Sequence, residues 1–240
     1  GISEIDPGIC FTHHTNDGDH TSITNEFAVA ASKIGNSMVT DELEVRDPTA
    51  GSFTLVSPIS LLEPAASFIW EHGAGAVLLG ASKQKSRYRD LSIADVVRQY
   101  TAAQDISRGR DHQLPSYQQF YSHFTKHANL KCLNYAYNTS LCDSIADLYG
   151  FPDSMVDLYV GLLAEKRAGN SLLGIVGTKL FKYMFSHIKH NDHYFYLWDR
   201  VIKAHISEIH GMRLSKIILR NTDIVPSNLR PNLEASVFIL

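Results

Sequence analysis

The sequence predicts a mainly α-helical protein, and three observations predict it. Apolar residues recur at three- and four-residue steps through most of the chain, while convincing two-residue alternation is scarce. Two long, mostly apolar stretches, 172–188 and 199–219, carry that helical period. A hydrophobic fraction of 44% and a charged fraction of 20% are ordinary for a globular protein, and 240 residues suffice for one domain with a sizeable core.

The elements follow in order. Residues 1–21 are polar, with turn signals at Asp6-Pro7-Gly8 and Asn16-Asp17-Gly18-Asp19. His13, His14 and His20 lie there beside Asp17 and Asp19; the residue types suit a metal, but without regular ligand spacing the segment reads as a loop. Thr24 or Asn25 caps a helix over 25–36, with Phe27, Ala30, Ala31 and Ile34 on one face. Ala28, Ala30 and Ala31 permit close approach of a neighbouring helix or a flat ligand, and helix packing is the simpler use.

Residues 41–64 carry Pro48, Gly51, Pro58 and Pro64 and read as an extended connection with at most short strands. Residues 65–79 read as a short helix followed by a glycine-rich turn at Gly73-Ala74-Gly75-Ala76, which lacks the lysine of a phosphate loop. Lys83, Lys85, Arg87 and Arg89 read as a solvated basic face. Leu91, Ala94, Val97 and Ala102 predict a helix over 91–104, giving way at a polar knot, Asp105 to His112, punctuated by Gly109 and Pro115. By itself the knot is a solvated helix end with arginines near the last carbonyls.

Residues 117–127 are predicted helical, and 144–149 form a further turn or two. Pro152 can start a short helix carrying Met155, Leu158 and Tyr159. Long helices over 172–188 and 199–219 follow, and the principal helices pack around Phe27, Ile34, Val97 and Leu180. The apolar end of the 226–240 tail must dock or stay a liability. No internal repeat or low-complexity tract divides the chain, so residues 1–240 read as a single domain.

Composition excludes several functions. A net charge of −3 gives no reason to expect nucleic-acid binding. No apolar run is long enough to span a membrane. There is no G-x-S-x-G elbow, and Cys10 has no identifiable activating base. Cys132 and Cys142 can close a local disulfide, leaving Cys10 odd, although spacing alone does not fix connectivity. Asn138-Thr139-Ser140 is a glycosylation sequon between them.

Four stretches carry a family resemblance. QDISRGRDHQLPSY, residues 104–117, resembles the NxxRxRDHGLPxY signature of animal haem peroxidases, the myeloperoxidase-like superfamily. NEFAVAASKIGNSM, residues 25–38, resembles that family's proximal-histidine helix, TNEFxxAAxRxGHS. Residues 154–161 resemble a third family stretch. Residues 177–181 and 191–196 together resemble its GxQFxxLRxGDRFWY. All occur in the family's order, and the resemblance implies the family's helical fold as a partial domain, the C-terminal half of the catalytic domain.

The resemblance also implies departures at the site. Asn36 stands where the family has its proximal haem-ligating histidine, and Asp105 where it has the asparagine that orients that histidine. Lys33 and Arg108 occupy the cationic positions facing haem propionates. The family's distal groups lie upstream of the matched region. No catalytic residue and no resident metal or cofactor are therefore expected, with haem conceivable only without its proximal histidine. Asn36, Asp105 and Arg108 are instead expected to form a structural polar network.

By the same comparison Gly1 falls in mid-domain. This implies proteolytic processing and a second polypeptide, most simply the N-terminal part of the precursor, completing the fold in a hetero- or homo-oligomer. The resemblance, the cysteines and the sequon imply secretion, a Cys132–Cys142 disulfide and a glycan on Asn138. Three functions follow as expectations: an inactive structural, storage or interaction subunit; a carrier of haem, another tetrapyrrole or a carotenoid in the former haem cavity; or one processed chain of an active haem peroxidase.

Overall fold

The structure, a computed structural model, describes residues 22–58, 65–126, 131–132, 136, 138–150, 156–169 and 171–230. The metal-ligand types at 13–20, Cys10 and the end of the tail lie outside these residues. Contacts divide the chain into two compact units: Gly1–Ser37 with Arg89–Ser92 and Gln99–His193, and Met38–Tyr88 with Ile93–Arg98 and Tyr194–Leu240.

In the first unit Thr24 caps the Asn25–Val29 helix, its side chain accepting from the Phe27 amide. The expected helix over 25–36 does not continue as α: residues Ala31–Met38 form a 3-10 helix. Ser32 Oγ donates to the Ala28 carbonyl, and Ser37 Oγ to that of Ile34. Serine back-bonding of this kind competes with the helical ladder and bends it. Ala30, Ala31 and Ile34 are buried as expected, while Phe27 is half-buried, packed edge-on against Phe181 at 5.0 Å.

The expected helix over 91–104 begins and ends later. It is α-helical over Asp95–Val97, widens to a π turn over Arg98–Ala102, and runs on as α-helix over Ala103–Asp111, straight through the polar knot. Gly109 does not stop it. Leu114 N donates to the Gly109 carbonyl and Gln113 N to that of Arg110, with Gln113 at φ 51°. That is a Schellman end with glutamine in the left-handed place. The Tyr117–Thr125 helix then starts from a Ser116/Gln119 capping box. Ser116→Ala is expected to cost about 1 kcal/mol, read as a lower urea midpoint.

The Thr139–Tyr149 helix is longer than predicted, because Asn138 caps it. A disulfide joins Cys132 to Cys142. The Leu158–Ala164 helix is buried along its whole length, and Tyr159 lies within it. The long apolar helix is Ile175–Asn191 rather than 172–188; Gly174 is its N-cap, and Leu172 and Leu173 precede it. Tyr117, Phe120, Leu162, Leu163, Leu180 and Met184 are fully buried in this unit.

The second unit contains the strands. β1 (Glu42–Arg46) and β2 (Phe53–Pro58) form an antiparallel hairpin with an irregularity at Val45/Arg46. The Asp47 carboxylate closes the turn by accepting from Thr49 and Ala50, and Asn228 Nδ2 donates to the Pro48 and Thr49 carbonyls. The Gly73–Ala76 run is not a turn after a helix. Gly73, at φ 81°, separates the Ala65–His72 helix from a second one over Ala74–Lys83, which packs on β1. Leu79, Ile218, Ile224 and Leu229 form the core here, while Val97 is only half-buried. The helix predicted over 199–219 is three pieces, Arg200–Lys203, Ile206–His210 and Leu214–Asn221. The first two bury no residue, so packing does not hold them in one rod.

Candidate functional site around Asn36 and Asp105

Asn36 sits half-buried on the 3-10 helix. A side chain on neighbouring Gly35 would meet no described atom within 4 Å, so space opens beside it among the described residues. Lys33, three residues earlier, is half-buried and forms no ion pair with a described residue. Asp105 lies on the Ala103–Asp111 helix, which packs against both the Asn25–Val29 and the Leu158–Ala164 helices. Its carboxylate is 3% exposed.

Of the expected Asn36–Asp105–Arg108 network only the Asp105–Arg108 leg is present, as a long ion pair, and no hydrogen bond among the described residues joins Asn36 to it. Asp105 Oδ2 is buried without a hydrogen-bond partner among the described residues, and Oδ1 meets only the Arg108 guanidinium at 4.0 Å. The helix explains the failure. Arg108, one turn on, points its head outward and is 58% exposed, too solvated to saturate the carboxylate. Tyr159 is the neighbour that sequence reading missed. Its hydroxyl is buried without a hydrogen-bond partner among the described residues, and its pKa is pushed up to about 12, first by burial and then by the Asp105 charge. Asp105 and Tyr159 thus form an unsatisfied polar spot in an apolar interior, which favours any group bringing a hydrogen-bond donor.

The rest of the knot performs structural work. Arg110 donates to both oxygens of Asp157, at 2.7 Å to Oδ2, and its pKa is raised by that carboxylate. The Tyr149 hydroxyl donates to the same Oδ2 at 2.8 Å, and burial pushes its pKa to about 12. Asp157 is the residue before the buried Leu158–Ala164 helix, so the knot anchors that helix at its start. His112 Nδ1 lies 2.7 Å from Asn25 Oδ1, which ties the end of the knot helix to the beginning of the Asn36-bearing segment.

Two buried charges were not visible as such in the sequence. Arg89, expected on a solvated face, is 1% exposed and donates to the carbonyls of Leu162, Leu163, Glu165 and Leu172. It caps the C-terminal end of the Leu158–Ala164 helix. Glu165 accepts from the Tyr117 hydroxyl at 3.0 Å and from the amides of Val176 and Gly177 at the start of the next helix. Burial pushes its pKa up against those hydrogen bonds. A side chain on Gly174 would overlap Glu165, so glycine there makes room for the carboxylate. The only available signal was position, a charge directly flanking an apolar helix.

Among the described residues no three His, Cys, Asp or Glu side chains gather to hold a metal ion, and no helix is long and apolar enough to cross a membrane.

The family model for animal haem peroxidase matches residues 7–233. The chain is 25% identical over 234 residues to a peroxidasin homologue, pxn-2, of Caenorhabditis elegans, covering 84% of this chain and 17% of that protein. It is 24% identical over 230 residues to chorion peroxidase of Drosophila melanogaster, covering 89% and 28%. The structure is similar to that of peroxidase A from Dictyostelium discoideum, with a TM-score of 0.74 at 18% identity, covering 93% of this chain and 44% of that one. The chain thus spans less than half the length of each of these proteins.

Proposed function

Since this chain belongs to the animal haem peroxidase family, we propose that it keeps the family's fold without its redox chemistry, as a secreted structural, storage or interaction subunit. The observation that carries the reading is the pair of residue types at the positions the resemblance assigns to the iron ligand and its orienting partner, Asn36 and an Asp105 whose Oδ2 is buried without a partner among the described residues. Iron in a haem is held by imidazole, thiolate, thioether or phenolate, and an amide is a poor substitute. The second place has changed too: a carboxylate stands where a partner for the ligand belongs. His112, the nearest imidazole in sequence to Asp105, is engaged with Asn25. This donor set does not fit a histidine-ligated haem.

The visible spectrum and iron content of native protein test the reading. No Soret band and no stoichiometric iron are expected. An iron-to-protein ratio near one would overturn it. Asn36→His alone is expected to give no peroxide-dependent oxidation of a phenol, because the matched region of the family holds no distal acid or base.

Exposed apolar side chains support an interaction role. Leu148 in the first unit is 82% exposed, and Trp70, Tyr194, Trp198 and Val201 in the second are each exposed as well. Such surface favours cover by another polypeptide, most simply another part of the same precursor. Size exclusion of the isolated chain is expected to show association; a well-behaved, cooperatively unfolding monomer would contradict this.

The open space at Gly35 and the unsatisfied Asp105–Tyr159 spot favour a second reading, a carrier of a largely apolar ligand with one donor group. Mass spectrometry of an organic extract of native protein separates the two readings. A Soret band with peroxide-dependent phenol oxidation would instead restore the chain as one part of an active peroxidase.

A further inference from the structure

We propose that Asn138 is an N-linked glycan site built into a helix cap, with Oδ1 holding the helix and Nδ2 carrying the sugar, modified before the Cys132–Cys142 bridge closes. The inference rests on the secreted reading above and goes beyond it in assigning each atom of the amide a task.

Asn138 is the N-cap of the Thr139–Tyr149 helix, in extended backbone at φ −154° and ψ 171°. Its Oδ1 accepts from the Leu141 amide at 2.8 Å. Its Nδ2 makes no hydrogen bond to a described residue and is free for substitution. Asn138, Thr139 and Ser140 are all exposed, so a bulky sugar meets no packed neighbour among the described residues. An N-glycosylated amide keeps its carbonyl oxygen, so the cap survives modification.

The bonds balance without oxidation. Nδ2 attacks C1 of an oligosaccharide carried on a polyprenyl diphosphate. The N–C1 bond forms, the C1–O bond to phosphate breaks, the diphosphate leaves on its lipid, and the amide gives up one proton. Bridge formation is separate: the two thiols pass two electrons and two protons to a disulfide donor.

The order follows from the geometry. The bridge spans 10 positions and ends at Cys142, within the first turn of the helix that Asn138 caps. A transferase must reach Nδ2 and the Ser140 hydroxyl together, which requires that turn to be open. Closing the short loop restricts its unwinding. The open thiol form is therefore the better acceptor.

The test is peptide mapping and intact mass of protein secreted from a eukaryotic host as its full precursor, before and after an N-glycosidase. The wild type is expected to carry glycan on Asn138, converted to Asp by the enzyme. Ser140→Ala should lose the glycan, and Cys142→Ser should raise its occupancy if the wild type is partly modified. Among deglycosylated proteins, Asn138→Asp should keep the thermal midpoint, whereas Asn138→Ala should lower it by about 2–4 °C. Unmodified Asn138 in a chain whose Cys132–Cys142 bridge is formed overturns this proposal and leaves secretion standing. Free thiols with unmodified Asn138 in native material overturn both. Occupancy unchanged by Cys142→Ser in a partly modified protein overturns the proposed order.

Discussion

Glu165→Ala is expected to destabilise the protein by about 3–5 kcal/mol, a large share of what holds a domain folded. The change leaves three buried donors without their acceptor: the Tyr117 hydroxyl and the amides of Val176 and Gly177. Each such loss costs about 1–3 kcal/mol. It also removes the carboxylate whose charge acts with Arg89, whose guanidinium is buried among backbone carbonyls. Glu165→Gln keeps an acceptor oxygen and should cost much less. The pair separates charge from shape through pH. Burial raises the Glu165 pKa above 4.5, so between 4.5 and its folded value the native state holds a proton that the unfolded state has released. The contribution is full below 4.5 and is lost as pH rises through the folded value. Urea unfolding across that window should show wild type losing stability relative to Glu165→Gln as pH rises. A pH-independent difference between the two would contradict the assignment.

Gly80→Ala is expected to be the most disruptive single methyl in the second unit, costing about 3 kcal/mol or more. A Cβ at Gly80 would overlap the backbone carbonyl of Glu44 on β1, and the Val45 amide lies close behind. A flexible side chain can swing away from such a contact, but a strand held in a two-stranded ladder cannot without breaking its pairing. Loss of the hairpin's hydrogen-exchange protection at an unchanged Cys132–Cys142 bridge would localise the damage. A thermal midpoint within 1 °C of wild type, with protection intact, would show that the helix moves off the strand at little cost.

Much of this protein was legible in its residues alone. The helical class, the Thr24 cap, the buried face of Ala30, Ala31 and Ile34, and the pairing of Cys132 with Cys142 follow from local pattern, spacing and family resemblance. Asn36 and Asp105 stood out because residue type decides ligand chemistry before any fold is known. Helix ends were less legible. Gly109 looked like a stop and is an interior residue, because the terminating geometry fell on Gln113. Gly73 to Ala76 looked like a turn and opens a helix, whose start packs against Thr222 and Asp223 on the side that Gly75 leaves bare. What only the tertiary structure decided was where charge goes. Arg89 read as solvent-facing and is a buried helix cap, as is Glu165, which no local pattern singled out, while Arg108, read as the partner of Asp105, reaches it only as a 4.0 Å ion pair with most of its side chain in water. A sequence fixes which groups carry charge and how far apart along one helix they lie. Whether a charge is solvated depends on the open carbonyls and amides of other helices, and those meet it only when distant segments pack together.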